Sequence, residues 1–289
     1  MIWRILLSAL LGFLVAAVIG ATLYLASPEG RQLLDRVWIN ATRVEHRSLW
    51  QAGRQLPGTP DLAKLDARLA AKGLKLGDPI FIRVFKLESE LELWMERDGT
   101  YVHFATYPIC YWSGRLGPKR QEGDLQAPEG YYTVDASQLN PNSRWHRSFN
   151  LGFPNNFDKA QGRTGSYLMV HGGCASVGCY AMTNPVVDEI WRIVTAALEG
   201  GQPRFAVMAL PFRMTKDNMS KRKGYPWRAF WTDLKTGNDL FEKTHVPPKA
   251  SVCDGRYAFA PGEKGAPVPE VEEGCTGAQA KAKAASSAD

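Results

Sequence analysis

Apolar residues recur along this chain with two different spacings, and the two spacings predict different secondary structures. A spacing of three and four residues predicts a helix over 30–56 and a second one over 59–73, with Thr59 as N-cap, Pro60 at the first helical position and Gly73 as the stop. Short runs of β-branched and aromatic residues predict strands at 80–85, 91–95, 101–107, 131–134, 167–170 and 205–210. Because short turns join the first three strands, we expect an antiparallel meander.

Two more helices are predicted in the second half of the chain. The pair Asn184-Pro185 opens one that ends at Gly200-Gly201, and another is predicted over 227–242. Residues 140–156 are rich in Asn and Pro and are predicted to form a loop. The fold class that follows is mainly β with flanking helices, an α+β domain whose strands form a sandwich or a meander.

The two ends of the chain differ from its middle. Residues 5–28 carry no charge and are long enough to cross a membrane, so we expect an uncleaved anchor at 5–26, with a cleaved signal segment as the alternative. On either alternative the bulk of the chain is exported. Residues near the carboxyl end are mostly Ala, Gly, Pro, Lys and Glu and are predicted to be disordered. The expected division is an anchor or signal segment at 1–28, a helical spacer at 29–77, a folded domain at 78–246 and a disordered tail at 247–289.

Composition narrows the class of protein and the class of partner. Of the 289 residues, 45% are hydrophobic and 22% are charged, which is typical of a folded chain. The net charge of +6 and the pI of about 9.0 favour an acidic partner. The basic residues are scattered and their densest run, 221–223, is short, so nucleic acid is not expected as that partner.

An odd number of cysteines is unusual in an exported protein. The chain has five, namely Cys110, Cys174, Cys179, Cys253 and Cys275, and an odd cysteine indicates a free and reactive thiol. Cys110 is interpreted as a small buried hydrophobe. Cys253 and Cys275 can form a disulfide near the carboxyl end, although connectivity does not follow from sequence.

The loop between His171 and Cys179 is the strongest candidate for chemistry, and three interpretations compete. In the first, His171 deprotonates Cys179 and the two rest as imidazolium and thiolate. In the second, both bind zinc together with Cys174 and Cys110. In the third, Cys174 and Cys179 form a disulfide. Catalysis is favoured because Gly178 lets the backbone turn sharply before Cys179 and leaves the N–H groups of both residues free as an oxyanion hole. No metal and no cofactor is expected.

A strand-end His-Gly pair followed by Ser-x-Gly-Cys stands at His171, Gly172, Ser176, Gly178 and Cys179. This pattern resembles the signature of the L,D-transpeptidase (YkuD) catalytic domain, a β-rich cysteine enzyme domain. Val177 stands where the signature has histidine, and Ala181 stands where arginine is common. These departures resemble a murein-processing branch of the family. The resemblance covers roughly residues 79–245.

The resemblance implies ping-pong acyl transfer on peptidoglycan stem peptides. Cys179 is the implied nucleophile, His171 the base, and the Gly172 carbonyl the group that orients the imidazole. The N–H groups of Gly178 and Cys179 are implied to hold the oxyanion. The missing arginine fits a changed substrate but does not say which acceptor is used.

Substrate contacts and products stay open at this point. The acyl-enzyme passes either to an amine, as in a transferase, or to water, as in an amidase that releases a wall-linked lipoprotein or trims cross-links. A non-enzymatic wall-binding or zinc-stabilised module is a further alternative. The expected location is the periplasm or cell envelope, at the inner membrane. The candidate substrate-binding residues are Ser176, Tyr180, Arg144, Trp145 and His146.

Overall fold

The computed structural model describes residues 2–275, whose strands form two five-stranded sheets and one three-stranded sheet. The α-helices of this part of the chain are α1 (Ile2–Ala26), α2 (Pro28–Gln51), α3 (Leu65–Ala70), α4 (Asn156–Ala160), α5 (Asn184–Glu199), α6 (Lys216–Lys221) and α7 (Arg228–Thr244). The strands are β1 (Ile80–Phe85), β2 (Glu90–Arg97), β3 (Thr100–Pro108), β4 (Tyr111–Trp112), β5 (Gly130–Val134), β6 (Leu139–Ser143), β7 (His146–Asn150), β8 (Met169–His171), β9 (Tyr180–Ala181), β10 (Phe205–Leu210), β11 (Lys249–Cys253), β12 (Arg256–Ala260) and β13 (Glu272–Glu273).

The first sheet has the strand order β3-β2-β1-β10-β5. Its central strands β1 and β10 run parallel and are buried along their whole length because nearly every residue in them is apolar. Helix α7 covers one face, where the Phe241 ring lies 4.6 Å from that of Phe81 and 4.9 Å from that of Trp94, centroid to centroid. The predicted meander is confirmed as β1-β2-β3, and the predicted strands at 131–134 and 205–210 complete this sheet.

The second sheet has the order β4-β9-β8-β7-β6, with β8 and β9 parallel. Its β6–β7 hairpin spans residues 139–150, so the prediction of a loop over 140–156 is wrong for most of that stretch. Strand β7 pairs with β8, placing Ser148 opposite His171, while β6 is the edge strand. An edge position tolerates the Asn and Pro residues that indicated a loop, because one side of the strand needs no ladder partner. The predicted fold class, sheets with flanking helices, is confirmed.

The carboxyl end is folded as far as the structure describes it, so the prediction of disorder from residue 247 onward is wrong up to residue 275. Strands β11, β12 and β13 form the third sheet. Tyr257 of β12 is buried and stacks on Phe157 with ring centroids 3.9 Å apart. A few aromatic side chains of this kind anchor a segment whose average composition is that of a disordered one. The prediction for 276–289 falls outside the described residues.

Helix α2 packs directly on the domain and is not the separate spacer predicted for 29–77. Asp35 is buried and its carboxylate pairs with Arg222 at 2.7 Å. Three turns further on, the buried His46 places Nδ1 2.8 Å from the carbonyl oxygen of Ile109. The two contacts lie on one side of the helix because their separation is close to a multiple of the helical repeat. This helix is therefore part of the folded unit that carries the site described below.

The second predicted helix is shorter than expected and starts at a different cap. Asp61, and not Thr59, accepts a hydrogen bond at the helix start, from the Ala63 N–H at 3.2 Å, and a 3₁₀ turn at Leu62–Lys64 precedes α3. The Thr59 hydroxyl instead donates to the Leu56 carbonyl at 2.7 Å. A carboxylate is at least as good an N-cap acceptor as a hydroxyl, which explains the shift.

Helices α1 and α2 meet at a sharp bend after Ala26. Ser27 caps α2, and its hydroxyl accepts from the Gly30 N–H at 3.1 Å. Between residues 2 and 275 no single helix is both long and apolar enough to cross a membrane. The pair Leu10–Ala26 and Pro28–Gln51, bent by 82°, meets that measure when taken together, on length and composition only. No single membrane-spanning helix among residues 2–275 therefore supports the predicted anchor at 5–26.

Candidate active site

Two neighbouring parallel strands of the second sheet bring His171 and Cys179 within two residue positions of each other along the strand direction. His171 is the last residue of β8, and Cys179 directly precedes β9. In the β8–β9 register Val170 lies opposite Tyr180, which places Cys179 level with Met169. The Cys179 Sγ accepts a hydrogen bond from the Met169 N–H at 3.3 Å and donates to the Tyr167 carbonyl at 3.6 Å. Met169 and His171 share a face of the sheet because they are two residues apart on one strand. Cys179 is level with Met169, so His171 and Cys179 face the same side of the sheet.

The imidazole of His171 is oriented by its own neighbour. Nδ1 lies 2.6 Å from the Gly172 carbonyl oxygen, which can only accept, so Nδ1 carries the proton and Nε2 is the basic nitrogen. The ring is buried, and the Trp145 ring lies over it with centroids 5.9 Å apart. The contact that the resemblance implies for Gly172 is thus present, and its catalytic role stays a prediction.

Burial favours the neutral forms of His171 and Cys179. Burial lowers the pKa of His171, opposed by the hydrogen bond to Gly172. Burial also raises the pKa of Cys179, opposed by the Met169 N–H and by the charge of Lys119. Both directions disfavour the resting thiolate and imidazolium that the sequence suggested. A neutral thiol near a neutral imidazole is expected to lose its proton to the imidazole while the sulfur attacks a substrate, and not before the attack.

Alkylation of Cys179 is therefore expected to depend on pH as it does for an unactivated thiol. With iodoacetamide, the rate should rise about tenfold per pH unit from pH 6 to pH 9 without a plateau, because only the thiolate reacts. Mass spectrometry of the intact chain measures the rate, and Cys179→Ala gives the background. A plateau below pH 7 would contradict the neutral pair and restore the ion pair.

The loop from 172 to 179 is held in a shape that favours glycine. Gly173 and Gly178 have φ of +85° and +98°, and Cys174 has φ of +47°. The Asn184 Oδ1 accepts from the Gly173 N–H at 2.9 Å, and a Cβ at Gly172 would lie only 2.7 Å from that same oxygen. Asn184 opens α5, so the helix start positions the loop. Sequence reasoning used Asn184 only as a helix signal and missed this contact.

The predicted oxyanion donors are not free in this structure. The Gly178 N–H donates to the Ser113 hydroxyl at 2.5 Å, and the Cys179 N–H donates to the Ser176 hydroxyl at 2.7 Å. The expectation of free N–H groups is therefore wrong, because small buried donors take the nearest hydroxyl when no substrate oxygen competes. The contact with Ser113 was not predicted from the sequence. The glycine-rich stretch that starts at Gly114, next to Ser113, is the sequence feature that could have indicated it.

Two of the five predicted substrate contacts have structural partners instead. Tyr180 is fully buried and its hydroxyl donates to the Pro128 carbonyl. The Ser176 hydroxyl donates to the Cys179 carbonyl at 2.7 Å as well as accepting from that residue's N–H, which closes the loop on itself. These contacts satisfy backbone groups in a tight loop, and substrate binding by the two residues stays a prediction.

The other three predicted contacts lie together at the tip of the β6–β7 hairpin. Arg144 and His146 are exposed and flank Trp145, which covers the His171 ring. The His146 Nε2 lies 2.8 Å from an Asp188 carboxylate oxygen, so this side chain is tied to α5. The hairpin tip therefore forms a rim next to the histidine, and contact with substrate stays a prediction.

A disulfide joins Cys110 to Cys174 across a separation of 64 residues. Both residues are buried, and the bond ties the segment after β3 to the loop that carries Cys179. The interpretation of Cys110 as a simple hydrophobe, the Cys174–Cys179 disulfide and the zinc site are all wrong, since the two sulfurs needed for them are bonded to each other. A second disulfide joins Cys253 to Cys275, which leaves Cys179 as the free cysteine among the five.

Loss of the first disulfide is expected to loosen this loop. The double change Cys110→Ser with Cys174→Ser should lower the free energy of unfolding by about 2–4 kcal/mol, because the unfolded chain regains the freedom of a long closed loop. It should also speed alkylation of Cys179 by exposing the sulfur. Denaturant unfolding and the alkylation rate measure the two effects.

The matched control is the double change Cys253→Ser with Cys275→Ser, which opens a loop of 22 residues at the carboxyl end. That variant should lose stability and leave the alkylation rate of Cys179 unchanged. Equal alkylation rates in both double variants would show that the Cys110–Cys174 bond does not hold the site.

A lysine supplies a positive charge that acts on the sulfur of Cys179. Lys119 is almost fully buried, and its Nζ pairs with Asp124 at 2.7 Å. Its charge lowers the pKa of Cys179, although less than burial raises it. Its stem passes over Gly165, where a Cβ would lie 2.7 Å from the lysine Cε. The effect of Lys119 on the sulfur emerges only from the fold, because the two residues are 60 positions apart in the chain.

The site brings together a buried thiol, an oriented imidazole and a loop whose backbone requires glycine, which are groups that nucleophilic thiol chemistry uses. The match to a known family is direct, because residues 81–243 match the YkuD L,D-transpeptidase catalytic domain. The chain belongs to the L,D-transpeptidase family, as the resemblance predicted, and is an enzyme of that family of peptidoglycan-acting proteins.

Individual relatives agree with this assignment. The chain is 48% identical over 185 residues to YafK of Escherichia coli K12, whose name gives its L,D-transpeptidase activity as provisional, and equally so to YafK of Escherichia coli O157:H7. Each match covers 64% of this chain and 75% of the relative. Among solved structures, the helical cell shape determining protein Pgp2 from Campylobacter jejuni is similar at 22% identity with a TM-score of 0.38, covering 62% of this chain and 68% of that one. The predicted branch of the family is thus confirmed by the YafK relatives.

Proposed function

We propose that this chain is a cysteine acyltransferase that acts on peptidoglycan stem peptides through a thioester at Cys179. The observation that carries the proposal is the placement of the free thiol of Cys179 two residue positions from His171 across neighbouring parallel strands. The Gly172 carbonyl holds the Nδ1 proton, so Nε2 is left to act as base.

The proposed reaction has two acyl-transfer steps. In the first, the Cys179 Sγ attacks a peptide carbonyl carbon while the His171 Nε2 takes the thiol proton. The carbon–nitrogen bond then breaks, the imidazolium gives its proton to the departing amine, and a thioester remains. In the second step an acceptor amine attacks the thioester, loses a proton to the imidazole, and releases the thiol with a new amide bond. Water in place of the amine gives a carboxylic acid, which is the hydrolase alternative.

Substrate binding is expected to change the hydrogen bonds of the loop. The N–H groups of Gly178 and Cys179 donate to the hydroxyls of Ser113 and Ser176 in the free enzyme. An oxyanion is a stronger acceptor than a hydroxyl, so we expect it to displace these contacts as charge develops on the substrate oxygen. The two serines would then act as placeholders that keep the donors aimed while the site is empty.

Two disulfides support a location outside the cytoplasm. Bonds such as Cys110–Cys174 and Cys253–Cys275 persist in oxidising compartments. Peptidoglycan stem peptides are also found there, so we place the activity in the cell envelope. Free thiols at these four cysteines in protein isolated from cells under acid quench would contradict that location.

Mass spectrometry of muropeptides incubated with the purified full-length chain tests the function. A disaccharide tetrapeptide donor with and without an added amine acceptor separates cross-linking, exchange and hydrolysis, because each gives a product of distinct mass. The expected result is a chain carrying a thioester at Cys179 and a product that depends on the acceptor. Hydrolysis alone would select the amidase, including release of a wall-linked lipoprotein. The proposal would be overturned if neither an adduct at Cys179 nor any product forms, with or without the amine acceptor. Only a wall-binding role would then be left.

A further inference from the structure

A large groove lies between α2 and the glycine-rich loop of residues 113–127. Its volume is about 730 Å³, which is within the usual range for ligand sites. Neither His171 nor Cys179 lines it, so the groove is distinct from the proposed catalytic centre. The half-buried Trp227, just before α7, forms part of its wall.

The charges that line this groove are unbalanced. Arg36, Arg115 and Arg120 are exposed, and none of the three forms an ion pair within residues 2–275. The two carboxylates of the lining are already neutralised, Asp35 by Arg222 and Asp124 by Lys119. The groove therefore presents three guanidinium groups with no acid of its own. Guanidinium groups bind carboxylates through two parallel hydrogen bonds, so the complementary ligand is one that carries carboxylates.

The loop wall of the groove is rigid before any ligand arrives. The Gln126 side chain donates to the Gly117 carbonyl at 2.7 Å and accepts from the Arg115 N–H at 3.0 Å. The buried Lys86 also donates to the Gly117 carbonyl, at 2.9 Å. Gly117 has φ of +123°, and a Cβ there would lie 2.3 Å from the Trp227 Nε1, so only glycine lets the loop approach the indole. A preformed wall lowers the entropy cost of binding.

The same loop forms part of the surroundings of Cys179. Ser113 at its start accepts from the Gly178 N–H at 2.5 Å. Near its end, the Gln126 carbonyl oxygen lies 3.8 Å from where a Cβ at Gly178 would be. One short segment thus separates the groove from the residue that precedes the nucleophile. A chain held in the groove would lie beside the candidate active site.

We propose that this groove binds a carboxylate-bearing segment of the peptide substrate, with Arg36, Arg115 and Arg120 as its anion-binding residues. The identification of that segment as part of the substrate rests on the proposed function, whereas binding of an acidic peptide does not require catalysis. Trp227, with the Arg120 guanidinium 5.8 Å from its ring centroid, offers an apolar surface for the peptide backbone between carboxylates.

Binding is tested first without turnover, in the full-length Cys179→Ala chain. Isothermal titration with tetraglutamate, and with tetraglutamine as the neutral control, measures affinity at low and at high salt. We expect binding of tetraglutamate alone, weakened by salt, and a loss of about 10-fold when the three arginines are changed together to glutamine, since each exposed charge pair contributes up to a few-fold. The matched control is Arg54→Gln, which removes a positive charge from an exposed position beyond α2.

Kinetics on the muropeptide donor then connects the groove to the reaction. The triple arginine variant should raise KM about 10-fold with kcat nearly unchanged, and Arg54→Gln should change neither. The groove proposal would be overturned if the Cys179→Ala chain bound tetraglutamate equally well with and without the three arginine changes, at equal melting temperature. This holds even if turnover is normal. A different result would separate the two proposals. If tetraglutamate binding requires the arginines but the chain turns over no muropeptide, the groove proposal stands and the proposed function is refuted.

Discussion

Replacing Cys179 with alanine is expected to lower the turnover of stem-peptide amides by about 10³-fold or more, to the background rate. The reason is that a thioester cannot form without the sulfur, and the remaining groups can only polarise the substrate. Rates of muropeptide conversion, followed by mass spectrometry at saturating donor, measure the effect. The loss should appear in kcat, because binding groups are untouched.

The controls separate catalysis from folding. Cys179→Ala should keep the melting temperature within a few degrees, because the hydrogen bonds of the sulfur to Met169 and Tyr167 are weak. His171→Ala should lose a similar factor, and the double variant should be no slower than Cys179→Ala alone, since the two groups act as a unit. Residual turnover in Cys179→Ala near that of the unchanged chain would refute the thioester mechanism.

The second large effect is on stability and concerns a buried ion pair beneath the glycine-rich loop. Lys86 and Glu129 are both fully buried and lie 3.0 Å apart. Glu129 also accepts from the Gly117 N–H at 2.7 Å and from the Trp231 Nε1 at 2.8 Å, so it joins the loop to α7. Glu129→Gln leaves the lysine charge without a partner and should lower the free energy of unfolding by about 3–5 kcal/mol at pH 7.

The effect of Glu129→Gln on the free energy of unfolding should depend on pH, because Lys86 has a shifted pKa. Burial lowers the pKa of Lys86 to about 8, against the opposing charge of Glu129. Between about pH 8 and the ordinary lysine pKa, the unfolded chain keeps a proton that the folded chain has released, so the contribution of Lys86 to the free energy of unfolding rises with pH there and is constant below. Without the carboxylate, the folded variant releases the lysine proton at a lower pH than the unchanged chain does, so the cost of Glu129→Gln should be larger at pH 7 than at pH 9.5.

Urea unfolding at pH 7 and at pH 9.5 measures both quantities. Glu122→Gln is the matched control, because Glu122 lies exposed on the same loop and should change stability by less than about 0.5 kcal/mol. A cost of Glu129→Gln that is equal at both pH values would show that the lysine charge is not what the carboxylate balances. The same variant should also weaken binding in the groove, since Gly117 loses one of its anchors.

The departures from the family signature take on a structural meaning in this fold. Ala181 is fully buried and lies opposite His171 in the β8–β9 pairing, so its position has no room for an exposed cation. Val177 is 74% exposed in the loop between His171 and Cys179, where a histidine would face solvent. A substrate carboxylate must then find its cation elsewhere. The groove arginines are the cations that our proposal assigns to it.

The sequence by itself determined the family, the fold class and most of the elements of the main sheet. Strands β1, β2, β3, β5 and β10 and helices α5 and α7 followed from apolar spacing and turn residues, because both are local properties of the chain. The same holds for the choice of His171 and Cys179, since their glycine neighbours mark a strained loop in the sequence. The predicted family was confirmed by comparison, and the catalytic roles remain predictions.

Tertiary structure alone decided which groups meet. The Cys110–Cys174 bond, the docking of α2 through Asp35 and the engaged N–H groups of the loop all join residues far apart in the chain, and local pattern carries no information on such pairs. Polar edge strands and the folded carboxyl end were missed for a related reason, since their order comes from packing partners rather than from their own composition. The lowered pKa of His171 and the raised pKa of Cys179 likewise come from burial, which only the folded chain creates.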